Sequence, residues 1–373
     1  MNSTAELLKT PLHQWHADHN GRMVEFAGWS MPVQYSSIID EHHQTRNAIG
    51  MFDVSHMGRL YFSGDDVDQF LDTLTTRRIA GVECGRIRYS LMTNEDGGML
   101  DDVLVYHLAD ADGKPFHMMV VNASNRDKIV DWITARLGDT GITLDDRTTT
   151  TAMIAIQGPK ANAAVAALSD LDPDSLAYYT GTTAKVCGQS AIVSRTGYTG
   201  EDGCEIICEA DVALEIWTRI YEAAEKVEGG ASGLAARDTL RLEAGMPLYG
   251  HELNEQINPA QADLKFAIQM KGREFVGKQA ILDARKDESL PVRIGLELEG
   301  RRAAREECEV FSGEQKVGVV TSGTYAPTIQ KSLSMAYVDR SVADIGTELV
   351  VDIRGKSHPA KVVELPFYKR PVA

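Results

Sequence analysis

The chain has 373 residues and a mass of 40.9 kDa. Its 38 Lys and Arg residues against 54 Asp and Glu residues give a formal net charge of −16, and 43% of its residues are hydrophobic. This composition excludes a disordered chain, and the acidic balance argues against nucleic acid or anionic lipid as the main partner, because both are bound by basic surfaces. A small anionic ligand stays possible, since a few local arginines can override the global sign.

No stretch approaches the roughly 18 consecutive apolar residues that a membrane helix needs. The N-terminal segment lacks a basic region followed by an apolar core, so no secretory signal is expected. The cysteines form no CxxC motif, and we expect reduced, buried thiols in a cytoplasmic protein. They are Cys84, Cys187, Cys204, Cys208 and Cys308.

The first half of the chain predicts strands and helices without a strict alternation. Residues 58–64 read as a short strand, and residues 99–108 and 116–123 read as a hairpin across a polar turn. A helix is expected over 124–138, with Ser124 at its N-cap and Gly138 at its C-cap. Residues 152–159 predict a buried strand, and a short helix follows it.

The next segments continue this mixed pattern. Residues 190–210 predict two strands around a glycine-rich turn. Residues 212–226 predict an amphipathic helix with Leu214, Trp217 and Tyr221 on one face. A further helix over 233–245 should end at its final glycine.

The character of the chain changes near residue 285, after which short strands are separated by Gly, Ser and Asp. This pattern is typical of a small all-β barrel or sandwich. We therefore predict an α+β fold for residues 1–284 and a C-terminal all-β domain for residues 285–373.

Two adjacent carboxylates, Asp101 and Asp102, begin an apolar strand. Alternation along a strand should send them to opposite faces. A carboxylate directed into an apolar layer is costly unless it is protonated or partnered. One of the pair is therefore a candidate to face a pocket, and solvated turn residues are the alternative.

A second candidate site lies in the glycine-rich segment 197–206 and the helix that follows. Glu205 stands in a strand, where a carboxylate can accept paired N–H donors from a flat heterocycle. Arg237 and Arg241 are four residues apart on one helix face, where they could bind a planar acceptor or form surface ion pairs. The glycine spacing is not that of a dinucleotide-binding loop.

The histidines do not suggest a metal site. His13, His16 and His19 are spaced by three, and His42 adjoins a second histidine, but no HExxH motif or nearby Cys accompanies them. We expect the N-terminal histidines to be solvated, and we assign no metal. His56 has no further candidate metal ligands at close spacing in the sequence.

The order of the motifs resembles the aminomethyltransferase (T-protein) family of the glycine cleavage system, from about residue 10 to residue 370. Ten motifs in the same order, with compatible spacing, make this resemblance specific. Among them are RNAIGMFDVSHMG, RYSLMTNEDGGMLDDVLVY, VVNASNRDK, SRTGYTGEDGCEI, GLAARDTLRLEAGMPLYGHE, VTSGTYAPT and LPFYKR.

The resemblance implies two interleaved α+β domains around a folate channel, followed by a C-terminal all-β barrel. It implies transfer of the methylene of an aminomethyl-lipoyl group on H-protein to tetrahydrofolate, with release of ammonia. Tetrahydrofolate would be the co-substrate and lipoylated H-protein the partner. No metal, membrane or nucleic acid is implied.

The resemblance also implies site residues, which we assign by matching the motifs of this chain to those of the family. Asp102, or else its neighbour Asp101, matches the catalytic acid, and we prefer Asp102. Glu205 and Arg237 match residues that bind the pterin end of the folate. The other folate-binding candidates are Met57, Tyr89, Leu104, Asn122, Tyr178, Tyr198 and Arg370.

The chain departs from the family pattern over 258–270, where Asp263 and Lys265 stand at small-residue positions and Phe266 replaces a tryptophan. Two other activities compete with aminomethyl transfer. One is a folate-dependent demethylase of the same superfamily. The other is a non-catalytic folate-binding protein, but Glu274 stands where that group carries a cysteine.

Docking of an acidic H-protein on this acidic chain should need a local basic face, because like charges repel at long range. The candidate arginines are Arg59, Arg86, Arg88, Arg301, Arg302 and Arg305.

Overall fold

A computed structural model describes residues 6–371. Within this range the strands, in chain order, are β1 (Leu8–Lys9), β2 (Arg22–Phe26), β3 (Trp29–Gln34), β4 (Gly50–Asp53), β5 (Gly58–Ser63), β6 (Arg86–Thr93), β7 (Met99–Ala109), β8 (Pro115–Val121), β9 (Thr143–Asp146), β10 (Thr151–Gln157), β11 (Gly181–Val186), β12 (Gln189–Ser194), β13 (Gly203–Glu209), β14 (Gly230–Ala231), β15 (Val292–Leu298), β16 (Glu309–Ser312), β17 (Gln315–Ala326), β18 (Lys331–Val338), β19 (Glu348–Asp352) and β20 (Ser357–Val363).

Within the same range, the α-helices are 6 to 13 residues long. They are α1 (His13–Asp18), α2 (Ile38–Asn47), α3 (Val67–Leu74), α4 (Arg126–Leu137), α5 (Ala161–Ala166), α6 (Ala213–Glu225), α7 (Leu234–Glu243) and α8 (Lys278–Ala284).

The first large sheet has the order β11-β12-β13-β10-β4-β14. Every residue of its central strand β10 is buried, because α5 and α6 cover one face and the second sheet packs on the other. Trp217 of α6 is fully buried in the resulting core. This strand is therefore a continuous apolar run rather than an alternating one.

The second large sheet has the order β6-β7-β8-β5-β9. Its outer face buries a core with α3 and α4, in which Ile129 and Ile133 are fully buried. Its inner face meets the first sheet through a shared apolar layer that includes Phe52, Tyr106 and Ile207. The two sheets thus stack through apolar side chains.

The chain passes repeatedly between these sheets, which makes the two α+β units interleaved as predicted. Strand β4 lies in the first sheet, whereas β5 to β9 lie in the second, and β10 to β14 return to the first. A small sheet of order β1-β3-β2 covers one side.

The C-terminal region closes into a barrel of order β15-β18-β17-β16-β19-β20. Its interior is filled by aliphatic side chains such as Leu296, Val338 and Val351. Leu242 of α7 packs against Met335 of the barrel, so the barrel is attached to the helix that carries the candidate arginines. The α+β assignment with a C-terminal β-barrel is confirmed, whereas the division at residues 284 and 285 stays a prediction.

Several local predictions were wrong. Helix α4 begins at Arg126 after a 3-10 turn, so Ser124 is not its N-cap. Leu214 of α6 is 49% exposed, and the helix instead buries Ile216 and Ile220 beside Trp217. Cys84 is exposed, in contrast to the expected burial of the thiols.

The expected solvation of the N-terminal histidines fails at His16, which is fully buried. Its Nε2 lies 2.9 Å from a carboxylate oxygen of Asp53, and its Nδ1 lies 2.8 Å from the Tyr35 hydroxyl. His42 is buried as well and bridges Thr239 of α7 to Thr328 of the barrel. Buried polar groups need hydrogen-bond partners, and these two histidines find theirs on other elements of the fold.

Arg59 cannot belong to a docking face, because it is fully buried. Its guanidinium donates to the Thr151 hydroxyl at 2.6 Å and to backbone oxygens of Met57, Ser55 and Thr148. Among residues 6–371, no helix is long and apolar enough to cross a membrane.

Candidate active site

A cavity of about 1010 Å³ lies where the two sheets, α7 and the barrel meet. Its walls come from β7 and β8, from the turn that precedes β13, from α7 and from the segment that follows α7. Barrel residues 321–323 complete the enclosure. Most of this lining is apolar, and a few polar side chains converge on the space, which is the usual make-up of a small-molecule site.

Asp102 presents its carboxylate to this cavity. The Tyr89 hydroxyl donates to Oδ2 of Asp102 at 3.1 Å, and the Asn122 amide donates to Oδ1 at 2.7 Å. Tyr89 lies on β6, whereas Asn122 follows β8, so the neighbouring strands on both sides of β7 hold this carboxylate. Its orientation is therefore fixed by the sheet.

Asp101 points away from the cavity and is fully buried. It accepts hydrogen bonds from the backbone N–H of Asn122 at 3.0 Å, from the Asn122 amide at 2.8 Å and from the Asn125 amide at 2.7 Å. These three donors hold both of its oxygens and fix the turn that begins α4. Asp101 is thus placed to position Asn122, whereas Asp102 is placed to meet a ligand.

Burial raises the pKa of both carboxyl groups. The pKa of Asp101 lies above its usual range, because burial and the charge of Asp102 outweigh the N–H donors of Asn122 and Asn125. The Asn122 amide contacts both carboxylates although they lie on opposite faces of the strand. The Asn122 side chain therefore links the two acids.

Glu205 forms the deeper polar end of the cavity and is 4% exposed. The Thr196 hydroxyl donates to its Oε2, and burial raises the pKa of the carboxyl group. Strand β13 reaches this position through Gly203, whose φ is +147°. A Cβ there would lie 2.2 Å from the carbonyl oxygen of Ile156, so only glycine fits the close approach to β10.

Arg237 of α7 faces Glu205 across this end of the cavity. Its guanidinium carbon lies 4.9 Å from the ring centroid of Tyr198. Within residues 6–371, its buried Nη1 atom has no hydrogen-bond partner. A buried donor without a partner is costly, which points to a ligand acceptor at this position.

Arg241 differs from Arg237 although both line the cavity. Its guanidinium is held by Glu252 at 3.0 Å, by Asp238 at 2.8 Å and by the Ser322 hydroxyl at 2.9 Å. These contacts join α7 to the barrel. Arg241 therefore has a structural role, and Arg237 is the arginine with capacity for a ligand.

The structure brings most predicted residues to the cavity. Met57, Leu104 and Tyr198 line its walls with Tyr89 and Asn122. The Tyr198 hydroxyl is fixed by the carbonyl oxygen of Pro247. The predicted residues that reach the cavity are Met57, Tyr89, Asp102, Leu104, Asn122, Tyr198, Glu205 and Arg237.

Two predicted contacts are not part of the lining. Tyr178 is 44% exposed, and its neighbour Tyr179 faces the cavity instead. Arg370 lies 3.3 Å from Asp202, on the outer side of the glycine-rich turn. Their assignment to the folate is not supported by this arrangement.

His56 and Phe26 line the cavity without having been assigned to it from the sequence, and Phe266, the residue at the family's tryptophan position, lines it as well. His56 is buried, its Nδ1 atom has no partner within the described chain, and burial lowers its pKa to about 4. Phe26 stands edge-on to His56 at 5.5 Å between ring centroids. Phe266 stacks on Tyr89 at 5.6 Å, at the exposed mouth. His56 adjoins Met57 in the sequence, which was the one available signal.

The described residues hold no group of three or more His, Cys, Asp or Glu side chains arranged for a metal ion.

Comparison with known proteins agrees with the fold. Residues 12–272 match the family described as "GCVT N-terminal domain", and residues 292–369 match "Glycine cleavage T-protein C-terminal barrel domain". An aminomethyltransferase of Corynebacterium jeikeium is 41% identical and spans 98% of this chain and 99% of its own length. One from Bacillus subtilis is also 41% identical, with coverage of 98% and 100%.

A crystal structure of the glycine cleavage system aminomethyltransferase T from Bartonella henselae has the same fold. The two share 31% sequence identity and superpose with a TM-score of 0.90. The match covers 98% of this chain and 99% of the other.

Proposed function

The chain belongs to the glycine cleavage T-protein family of aminomethyltransferases, and we propose that its cavity binds tetrahydrofolate with the pterin at Glu205 and Arg237 and the reacting nitrogens at Asp102. Tetrahydrofolate is a substrate of the proposed reaction. The observation that carries the proposal is one cavity that holds a buried carboxylate, a buried guanidinium with an open donor, and a second carboxylate fixed by the sheet.

The chemistry of the deep end suits a pterin. A pterin ring presents adjacent N–H donors and a carbonyl acceptor in one plane. The Glu205 carboxylate can accept the donors, while the open Nη1 of Arg237 can donate to the carbonyl. Tyr198 and Met57 offer flat and flexible apolar surfaces for the ring.

Asp102 is the group proposed to act on the reacting atoms. In the reaction, two folate nitrogens in turn bond to the methylene carbon while its bonds to the amino nitrogen and to the lipoyl sulfur break. The two protons released from the folate nitrogens pass to these leaving groups, which depart as ammonia and a dihydrolipoyl thiol. Positive charge develops near the carbon as ammonia departs. The Asp102 carboxylate stabilises that charge and can accept a proton, and Tyr89 and Asn122 keep it aimed.

The pocket also favours the reaction by holding both groups in place. The wall residues exclude water from the apolar middle of the cavity, and binding both substrates there converts a bimolecular encounter into an oriented one. We infer that the second substrate is the aminomethyl-lipoyl arm of an H-protein and that the protein acts in the cytoplasm. No enzyme nucleophile is needed for this transfer.

The direct test mixes the purified protein with tetrahydrofolate and aminomethyl-loaded H-protein and follows ammonia and methylenetetrahydrofolate. Equal amounts of both products, formed only when both substrates are present, are expected. Tight folate binding without product would contradict aminomethyl transfer and favour the demethylase or the non-catalytic binding protein. A matched reaction with H-protein that lacks lipoyl gives the background.

A further inference from the structure

We propose that Tyr106 is a positioning residue for the carboxylate of Glu205, and that it acts through the hydroxyl groups of Ser194 and Thr196. Tyr106 lies on β7, in the apolar layer between the two large sheets, behind the wall of the cavity. This inference rests on the proposed function, because it takes Glu205 as the acceptor of the pterin N–H donors.

The hydroxyl group of Tyr106 is an unusual group in this layer. Tyr106 is fully buried among apolar side chains such as Phe52 and Ile207. Within residues 6–371, its hydroxyl oxygen has no hydrogen-bond partner. A buried hydroxyl in this state lowers stability, and phenylalanine would fill nearly the same volume without that cost. The hydroxyl of Tyr106 therefore points to a role other than packing.

The polar neighbours of this hydroxyl belong to the first large sheet. They are Ser194, at the end of β12, and Thr196, two residues further on, and both are buried. The hydroxyl oxygens of Ser194 and Thr196 lie 2.9 Å apart, and the Thr196 hydroxyl donates to Oε2 of Glu205. Tyr106, Ser194 and Thr196 thus form a hydroxyl row that leads to the Glu205 carboxylate.

The direction of the hydrogen bonds in the hydroxyl row follows from the number of protons, because each hydroxyl has one to donate. Thr196 gives its proton to Glu205, so the contact between Ser194 and Thr196 needs Ser194 as the donor. The alternative acceptor for Ser194, the carbonyl oxygen of Glu205, is more distant at 3.3 Å. Ser194 can then accept from Tyr106, whose proton is uncommitted. After a small movement of the Tyr106 hydroxyl, every proton of the row points towards Glu205, and each bond strengthens the next.

Strand β7 connects the hydroxyl row to the other end of the cavity. Asp102, Leu104 and Tyr106 occupy alternate positions of β7 and therefore share one face. Asp102 and Leu104 line the cavity, and Tyr106 continues that face towards Glu205. At roughly 3.3 Å per residue, the Cα atoms of Asp102 and Tyr106 lie about 13 Å apart. One strand thus carries Asp102 and the residue that supports Glu205, which fixes the spacing of the two ends.

The hydroxyl row favours the ionised form of Glu205. Burial raises the pKa of the Glu205 carboxyl group, whereas the Thr196 hydroxyl and the charge of Arg237 lower it. Only the ionised carboxylate can accept paired N–H donors, so the loss of folate binding at acid pH should follow Glu205. The other titratable groups that face Glu205 have pKa values raised by burial, and they are Tyr106, Tyr178, Tyr179 and Cys204.

The test measures the dissociation constant of tetrahydrofolate between pH 5 and pH 8 in Tyr106→Phe. The substitution removes a donor that supports the ionised carboxylate, so the pKa of Glu205 should rise and binding should be lost at a higher pH than in the wild type. We expect binding about 3- to 10-fold weaker on the acidic side and little change at pH 8. Tyr61→Phe, in the same apolar layer, is the matched control and should bind folate as the wild type does at every pH.

Combined substitutions test whether Tyr106 acts through the hydroxyl row. Thr196→Val should shift the acidic loss of binding at least as far as Tyr106→Phe, and Ser194→Ala, which breaks the row at its middle, should reproduce the shift. The double variant Tyr106→Phe/Thr196→Val should shift it no further than Thr196→Val alone. Additive shifts would contradict the route through Thr196.

The free energy of unfolding, measured by urea denaturation, separates positioning from packing. It should not fall in Tyr106→Phe, because the substitution removes an unpartnered buried group. A fall in stability with an equal loss of affinity at every pH, or an unshifted acidic loss of binding, would overturn the positioning role and leave the proposed function intact. Failure of the wild type to bind tetrahydrofolate at any pH would overturn the proposed function and this inference with it.

Discussion

At the scale of single residues, the site is built from polar groups that the fold buries and leaves partly open. Within residues 6–371, the Glu205 side chain accepts from one hydroxyl, and Arg237 lies over the Tyr198 ring with its Nη1 atom unpartnered. Asp102 is held by a tyrosine and an asparagine and still faces the cavity. Such groups are costly in the empty protein and become satisfied when a complementary ligand binds.

Glu205 and Arg237 form the proposed pterin end of the cavity. Glu205→Ala and Arg237→Ala should each weaken tetrahydrofolate binding about 10- to 100-fold, because each removes charge-assisted hydrogen bonds to the ligand. Fluorescence titration of the folded variants measures the effect. Glu309→Ala, which removes an exposed carboxylate of the barrel, is the control and should leave the affinity unchanged. Unchanged titrations for both site variants would remove the pterin assignment.

The residue types of the site were predictable, but their burial was not. Asp102, Glu205 and Arg237 stand in motifs whose chemistry can be read from the chain. Arg59 is as charged as Arg237 in the sequence, yet it is buried against the carbonyl oxygens of loops that are distant in the chain. His16 likewise finds Asp53 across 37 residues. Only the folded structure brings these partners together.

At the scale of elements, the β7–β8 hairpin holds the end of the cavity that is proposed to be catalytic. Asp102 lies near the start of β7, and Asn122 directly follows β8. At the other end of the hairpin, His107 and His117 are directly opposed in the register, with their rings stacked 4.3 Å apart. Burial and the neighbouring His107 lower the pKa of His117 to about 4.

Because burial lowers the pKa of His117, we expect the free energy of unfolding to depend on pH. The pKa of His117 in the unfolded chain is about 6.5, so the unfolded state takes up a proton more readily, and stability is lost as the pH falls from about 6.5 towards 4. The contribution between pH 7 and pH 5 is about 1 kcal/mol after allowance for the partly exposed ring.

His117→Leu should remove this contribution, because leucine carries no titratable group. Its free energy of unfolding, measured by urea denaturation at pH 7 and pH 5, should fall less on acidification than that of the wild type. Equal losses in the two proteins would show that His117 does not destabilise the folded state at low pH.

Elements with clear periodicity were predicted well, and their ends were not. The expected hairpin over 99–108 and 116–123 corresponds to Met99–Ala109 and Pro115–Val121. The start of α4 was missed because Asp101 binds the Asn122 and Asn125 amides, and this tertiary contact shapes the turn before the helix. The buried face of α6 was displaced because its position is set by the strands beneath it.

At the scale of the whole molecule, three structural units enclose one cavity. The Ser322 hydroxyl of the barrel bonds Arg241 of α7, although 81 residues separate them. His42 of α2 joins Thr239 of α7 to Thr328 of the barrel. Local sequence patterns report the units but not these long-range contacts. The enclosed channel was implied by the family resemblance and could not be inferred from periodicity alone.

For the proposed H-protein partner, we expect docking on this acidic chain to depend on local basic groups. With Arg59 excluded by burial, the exposed Arg301 and Arg302 are the candidates for charge reversal. Arg301→Glu/Arg302→Glu should raise the KM for H-protein about tenfold at low salt, and less at high salt, while the dissociation constant of tetrahydrofolate stays the same. Steady-state kinetics and folate titration measure the two quantities.

The control for this docking prediction is Arg354→Glu, which reverses an exposed charge elsewhere on the barrel. It should leave the KM for H-protein close to that of the wild type. Equal effects of the double variant on the KM for H-protein and on the dissociation constant of tetrahydrofolate would contradict the docking assignment.

The central claim is that Asp102 acts on the reacting atoms while Asp101 positions Asn122. Its most direct test is the rate of methylenetetrahydrofolate formation in Asp102→Asn and Asp101→Asn, with folate affinity measured in parallel. We predict that Asp102→Asn folds and binds folate but loses turnover about 100-fold or more, whereas Asp101→Asn keeps most of it. Near wild-type turnover in Asp102→Asn, together with its abolition in Asp101→Asn, would contradict the claim.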